Sequence, residues 1–541
     1  MRQLFVVLLI SLFALSFACR RTNYEFVTIA LTDKITTLDT LTAPVVGAAA
    51  ERVRTLVFNT LVRKDQNFDY IGELASEIKT SDDGKAITLV LRDNVKFQNG
   101  KDLTAADVKY TFDKLFESQS FKSKAFFDTV PLETADSKSV SSPETNSNQS
   151  DGAANKKKTK ESPHISSIET PDSKTIVFNI ARPSLRNQLL SNFVAIPIIP
   201  EGTAEQQKDH PVGTGPFSFV SYDSSQNIVE FQANKDYWEG SPKVQKIRIK
   251  TVTDASSLEA ELRTGGVDIA PLPNNLTPDS LRSLGTDPNL KVEQFEGSNI
   301  QYLGFNTSSP PLNNVKIRQA IGYAIDREKI VKELLFGQAK VANSILPEGS
   351  WAYTPGTQYS YDPAKAKQLI KDAGYNNEPI KYKYSSGNTA VNQYSQAIQA
   401  SLKDVGLNVQ IEQLELATLL TQLGQGQFEM NTGIWVGGNQ DPIFLKDLFT
   451  TSHIPGDGVA CCNRSRYSNP QVDGLLDQAI NEPDRTKAKD LYSRAWNIIS
   501  SDNPLFPLWY PANMVVYNKR IGNIKISPSG DFSFVKDITL Q

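Results

Sequence analysis

Residues 91–112 read Leu-Arg-Asp-Asn-Val-Lys-Phe-Gln-Asn-Gly-Lys-Asp-Leu-Thr-Ala-Ala-Asp-Val-Lys-Tyr-Thr-Phe. The stretch joins the end of a strand to the start of a helix. Just before it, Ile87, Leu89 and Leu91 alternate as the residues of a half-buried strand do, and Ser81-Asp82-Asp83-Gly84 supplies turn chemistry. Residues 74–97 therefore read as two strands around that turn. Downstream, Thr104 stands at an N-cap position with Asp107 three residues on, the spacing of a capping box, and predicts a helix to about Phe116.

Outward from this unit the same change of period recurs. Residues 27–31 are an apolar strand, and Ala50, Val53, Leu56, Val57 and Leu61 place a helix over 47–62. Strands follow at 175–180, 246–252, 267–270 and 409–412. Helices follow at 256–263, 313–336 with an interruption near Asp326, 362–373, 391–404 and 469–500, the last ending before Pro504 and Pro507. Strands alternating with helices over this length predict an α/β protein with mixed sheets. At 541 residues the chain exceeds what one core organises, so two or three lobes are expected.

Composition narrows the function. Hydrophobic residues make up 39% and charged residues 22%, which excludes a wholly disordered chain and a multi-span membrane protein. A net charge of -3 leaves no basic field for nucleic acid. With three His and three Cys, no metal site and no cofactor is expected. Residues 132–164 turn to Ser, Thr, Asn, Lys and Asp, and read as a disordered insertion that cannot bury enough surface to offset its ordering entropy.

Residues 1–18 carry Arg2 and then an apolar run, the pattern of a signal peptide. Leu15-Ser16-Phe17-Ala18-Cys19 resembles a bacterial lipoprotein box, which implies a lipidated Cys19, a tether over 19–23 and an exported protein held at a membrane surface in the periplasm or outside the cell. The alternative is plain cleavage near Ala18 with an incidental Cys19. Cys461 and Cys462 are adjacent, and are either two thiols or a vicinal disulfide.

No catalytic residues are expected. The chain has no G-x-S-x-G, H-E-x-x-H or G-x-x-x-x-G-K-[ST] motif, and Gly213-Thr214-Gly215 is followed by Pro216 rather than by a completed dinucleotide loop. Ser76-Glu77-Ile78-Lys79 fits S-x-x-K, but without the companion Lys-Thr-Gly and Ser-Asp-Asn motifs.

Residues 91–112 closely resemble a signature of the large solute-binding proteins of the oligopeptide and dipeptide type that serve ABC importers. Val212-Gly213-Thr214-Gly215-Pro216-Phe217, Asn234-Lys235-Asp236-Tyr237-Trp238, Gly266-Val267-Asp268-Ile269, Phe305-Asn306-Thr307, residues 315–327 and residues 467–473 are similar to further family segments, in the same order. The resemblance implies a three-lobed, type II periplasmic-binding-protein-like fold. Lobe I would combine 24–48, 201–296 and 506–541, lobe II would be 49–200 and lobe III 297–505, with a hinge between lobes I and III. It also implies a monomer that captures a small solute, with short peptides the first expectation, and delivers it to a membrane permease. Rival expectations are a binder of a non-peptide solute, or a sensor or envelope partner of the same fold.

The family's ligand-facing strand carries W-x-G-D-x-x-D-P, whose first Asp holds the peptide ammonium. Here the stretch is Trp435-Val436-Gly437-Gly438-Asn439-Gln440-Asp441-Pro442, with Gly438 in place of that Asp. The candidate ligand-binding residues are Ile434, Trp435, Val436, Gly437, Gly438, Asn439 and Asp441. Pro44 and Val46 join them from an opposing strand near 42–46, where Pro44 removes one backbone donor. Asp441 is a candidate substitute for the missing Asp. Trp435 is a pocket wall or a core residue, and Phe126 caps the pocket or packs in the core.

Overall fold

The computed structural model describes residues 26–44, 46–65, 68–131, 159–435, 441–456 and 462–541. Three sheets dominate. The seven-stranded sheet runs in the order Phe217–Asp223, Ile228–Ala233, Lys246–Thr251, Val27–Leu31, Ile269–Pro271, Asn513–Asn518 and Leu290–Phe295. It is mixed: Val27–Leu31 lies parallel to both neighbours and the other pairs are antiparallel. A strand flanked on both sides and covered on both faces needs apolar residues throughout, and all five of its residues are buried.

The six-stranded sheet runs Ala339–Val341, Leu505–Pro511, Ile300–Phe305, Met430–Trp435, Ile380–Ser385 and Val409–Leu414. A four-stranded antiparallel sheet, Ala75–Thr80, Ala86–Leu91, Thr175–Ile180 and Ile165–Glu169, carries the opening sequence unit. Above it sits the helix Ala105–Ser118. Asp107 closes the capping box there, accepting from Thr104 N at 3.0 Å and Thr104 Oγ1 at 2.7 Å. Phe112 drives the helix onto the sheet, its ring 4.9 Å from Phe178 and 5.5 Å from Phe193.

Most of the signature therefore builds the scaffold. Gln98 donates to Val57 O, Gly215 O and Phe217 O at 3.1, 3.1 and 2.9 Å, and accepts from Gly213 N at 3.0 Å. It ties the four-stranded unit to the edge of the seven-stranded sheet. Gly213-Thr214-Gly215 lies against the end of the helix Ala48–Val57, where a Cβ on Gly215 would stand 2.5 Å from Val57 C.

Two connections join the seven- and six-stranded sheets: 296–299, between Leu290–Phe295 and Ile300–Phe305, and Ala512, between Leu505–Pro511 and Asn513–Asn518. They run side by side, and a Cβ on Gly297 would stand 2.0 Å from Pro511 O. Among the described residues no helix is long and apolar enough to cross a membrane.

Three expectations are corrected. Thr159–Pro163, assigned above to a disordered insertion, pairs antiparallel with Phe127–Pro131. Main-chain pairing needs no apolar side chains, so a composition argument about burial does not exclude it; residues 132–158 lie outside the described residues. The strand Leu505–Pro511, placed in lobe I from residue 506, pairs with Ile300–Phe305 and Ala339–Val341. Pro507 is tolerated there because the register shifts beside it, at Gln301/Tyr302. The passage back to the seven-stranded sheet therefore falls at Ala512. The helix 47–62 ends early, at Val57, where Phe58 turns extended.

Candidate functional site

Trp435 closes the strand Met430–Trp435 and pairs with Ile300. Its half-buried ring stacks on Phe444 with centroids 5.7 Å apart and planes at 21°, next to Tyr302 and Trp351 in the apolar cluster beneath. Ile434, its neighbour, is 47% exposed because strand side chains alternate in direction. Val436, Gly437, Gly438 and Asn439 lie outside the described residues.

Asp441, where the description resumes, is buried at 6% exposure. Its Oδ2 accepts from the Tyr70 hydroxyl at 2.5 Å and its Oδ1 from Ile443 N at 3.0 Å. Both oxygens are thus engaged within the protein. Asp441 is poorly suited to take over the ammonium-holding role that Gly438 leaves open.

Tyr70 reaches Asp441 from the hairpin of Val62–Lys64 and Tyr70–Gly72. Burial, then the Asp441 charge, pushes the Tyr70 phenol well above its ordinary value, so it donates as a neutral hydroxyl. The Tyr492 phenol is raised for the same two reasons. Lys64 stands directly opposite Tyr70 in the hairpin, and its Nζ lies 5.1 Å from the Tyr70 ring centroid. Burial brings the Lys64 amine down to about 8, a shift that the Asp441 carboxylate partly opposes.

A second contact reinforces the junction. Arg485, at the start of the helix Arg485–Asp502, pairs with Asp69 and lies 4.9 Å over the Trp351 ring. The hairpin at 62–72 and the segments around 351, 441 and 485 thus close on one another beside Trp435.

The remaining candidates fall elsewhere. Phe126 does not cap a pocket: it is 1% exposed, 5.9 Å from Phe112 and 5.6 Å from Phe116 in edge contacts. Aromatic rings adjacent in sequence to a polar insertion are here recruited by the nearest apolar core. Pro44 is exposed and Val46 half-buried against the main core, but the described part of 42–46 is not a strand. Asp39 folds this segment into a turn, its Oδ1 accepting from Leu41 N and Thr42 N at 2.9 Å each. Cys462 is disulfide-bonded, and Cys461 lies outside the described residues. Among the described residues no three His, Cys, Asp or Glu side chains gather to hold a metal ion.

Lys64, Tyr70 and Arg485 were not legible as site residues. Tyr70 and Asp441 are 371 positions apart, and no local pattern marks a contact at that separation.

Comparison with known proteins identifies the family. The chain is 28% identical over 503 residues to heme-binding protein A of Haemophilus influenzae, covering 88% of this chain and 86% of that protein. It is 26% identical over 509 residues to the dipeptide-binding protein of Escherichia coli, covering 88% of each. The structure superposes on the ABC transporter-associated periplasmic binding protein DppA of Helicobacter pylori in complex with the peptide STSA, with a TM-score of 0.70, 25% identity, and 95% and 98% of the two chains covered. The fold is thus of the type II periplasmic-binding-protein class. The family model of the bacterial extracellular solute-binding proteins, family 5 (middle region), matches residues 69–456. The match spans the signature, both strands at the sheet-to-sheet connection of 296–299, and the Trp435–Asp441 segment. This chain therefore belongs to the bacterial extracellular solute-binding proteins of family 5, and is a binding protein rather than an enzyme.

Proposed function

We propose that the protein is the lipid-anchored receptor of an ABC importer, which captures short peptides in a cleft bounded by Trp435 and delivers them to a membrane permease. The observation that carries this reading is the closure of the 62–72 hairpin on Asp441 and Arg485 beside Trp435. A hairpin near the start of the chain meets there the segment that follows the strand Met430–Trp435 and the start of the helix Arg485–Asp502, as a site that closes around its ligand requires. The peptide assignment draws on relatives described as binding dipeptides and the peptide STSA.

In this reading the chain has three lobes. Lobe I holds the seven-stranded sheet, lobe II residues 49–200 and lobe III the six-stranded sheet, with the boundary between III and I at Ala512 instead of 506. Closure is a hinge motion at 296–299 and 512. The protein is exported, acylated at Cys19 and monomeric.

Gly438 supports a second reading, a solute without a free amine. A glycine offers no charge to a buried ammonium, and Asp441 is engaged by Tyr70. A relative described as heme-binding is compatible with it. Native mass spectrometry of the purified protein, followed by thermal shift with a mixed dipeptide-to-pentapeptide library, separates the two. A co-purified peptide or a library-induced shift supports peptide capture; a different bound mass with no peptide response overturns it in favour of another solute.

A further inference from the structure

Lys64 differs from the other buried lysines. Lys122 lies 2.7 Å from Glu51 and 3.0 Å from Ala195 O. Lys383 lies 2.7 Å from Gln422 Oε1 and 3.2 Å from Glu412. The Lys64 ammonium is shielded from solvent and has no hydrogen-bond acceptor among the described residues. Its nearest support is the Tyr70 ring at 5.1 Å and the Asp441 charge through space, and both Asp441 oxygens already have donors.

A desolvated ammonium without an acceptor opposes folding, and such groups are retained where they work on a ligand. The position fits that role. Lys64 opposes Tyr70 on the hairpin, and Tyr70 holds Asp441, six residues after Trp435 in the sequence. An anionic oxygen from a ligand in the cleft would give Lys64 its missing acceptor and add a charge-assisted bond.

We infer that Lys64 is a specificity-determining residue of this cleft, selecting a ligand that turns a carboxylate or another anionic oxygen toward the 62–72 hairpin. The inference rests on the solute-binding reading above and deepens it. It also gives the cleft the opposite polarity to an ammonium-holding site, which matches the loss of the carboxylate at 438. A peptide would then be held by its acidic end or side chain, with its amine a lesser determinant.

The test uses the full-length protein and the peptide library in three forms: free, N-acetylated and C-terminally amidated. Isothermal titration of the wild-type protein is expected to show roughly tenfold weaker binding on amidation and little change on N-acetylation. Lys64→Met should bind the free and amidated forms alike, while Lys64→Arg keeps the preference, with circular dichroism confirming that each variant is folded. Equal wild-type binding of free and amidated forms, or an undiminished preference in Lys64→Met, overturns the inference. If no library member binds, the peptide reading fails by itself, and Lys64 is then probed by trinitrobenzenesulfonate labelling read by peptide mass mapping. Protection by succinate and not by succinamide supports an anion site, and labelling indifferent to both overturns it.

Discussion

The Tyr70 hydroxyl donates a 2.5 Å hydrogen bond to Asp441 Oδ2, joining a hairpin near the N-terminus to the segment that follows Trp435. With the Asp69–Arg485 pair it ties this hairpin to the residues around Trp351 and Tyr492. The contact orients the neutral phenol and removes Asp441 from the groups free to meet a ligand, and among the described residues Lys64 beside it has no acceptor.

Tyr70→Phe deletes the donor and leaves buried Asp441 with Ile443 N as its remaining partner. Loss of a bond to a charged acceptor costs about 1.5–3 kcal/mol. The closed arrangement should therefore be less populated, with ligand dissociation faster by about tenfold in stopped-flow. An unchanged dissociation rate would show that Tyr70 does not hold the cleft.

Lys64 sets a pH dependence of stability. Its amine titrates near 8 in the folded protein against an ordinary 10.5, and Lys122 is shifted the same way, to about 8. Unfolding therefore takes up protons between about pH 8 and 10.5, so as far as these two lysines decide it, stability is lowest below pH 8 and rises above it. Lys64→Met should raise the thermal midpoint at pH 7 and flatten the rise between pH 8 and 10, both read by calorimetry. A lower midpoint at pH 7 would mean that the ammonium is well solvated.

Asp107 is buried and accepts four donors: Thr104 N, Thr104 Oγ1, Lys101 Nζ at 2.6 Å and Glu201 N at 2.8 Å. Asp107→Ala strands the backbone donors and uncaps the helix Ala105–Ser118, for a loss of about 2–4 kcal/mol in urea unfolding. A change below about 0.5 kcal/mol, the range of ordinary surface substitutions, would contradict this account.

Phe126→Ala tests the reassignment of that ring from pocket to core. It should cost about 3–5 kcal/mol of stability. Affinity measured on the folded fraction should stay at the wild-type value. Weakened binding without loss of stability would restore Phe126 to the cleft.

Several individual elements were legible. Val27–Leu31 and Thr175–Ile180 have the predicted bounds, and the Thr104–Asp107 box opens its helix, because period and capping act over a few residues. Asp326 ends one helical run and caps the next, accepting from Lys329 N at 2.9 Å, as the interruption suggested. Errors arose where a distant partner decided the outcome. Leu505–Pro511 belongs to the strand beside it in space rather than to the lobe that follows it in sequence, and Thr159–Pro163 is a strand because Phe127–Pro131 offers it main-chain partners.

By itself, the sequence determined the α/β class and the family, since each depends on local periodicity or on motifs that keep their spacing. Tertiary structure decided which groups surround Trp435. Lys64 meets Tyr70 through hairpin register, and Tyr70 meets Asp441 across 371 residues. Whether a charge is solvated, paired or buried without a partner depends on what the fold brings within a few ångströms of it, and that information is not local in the chain.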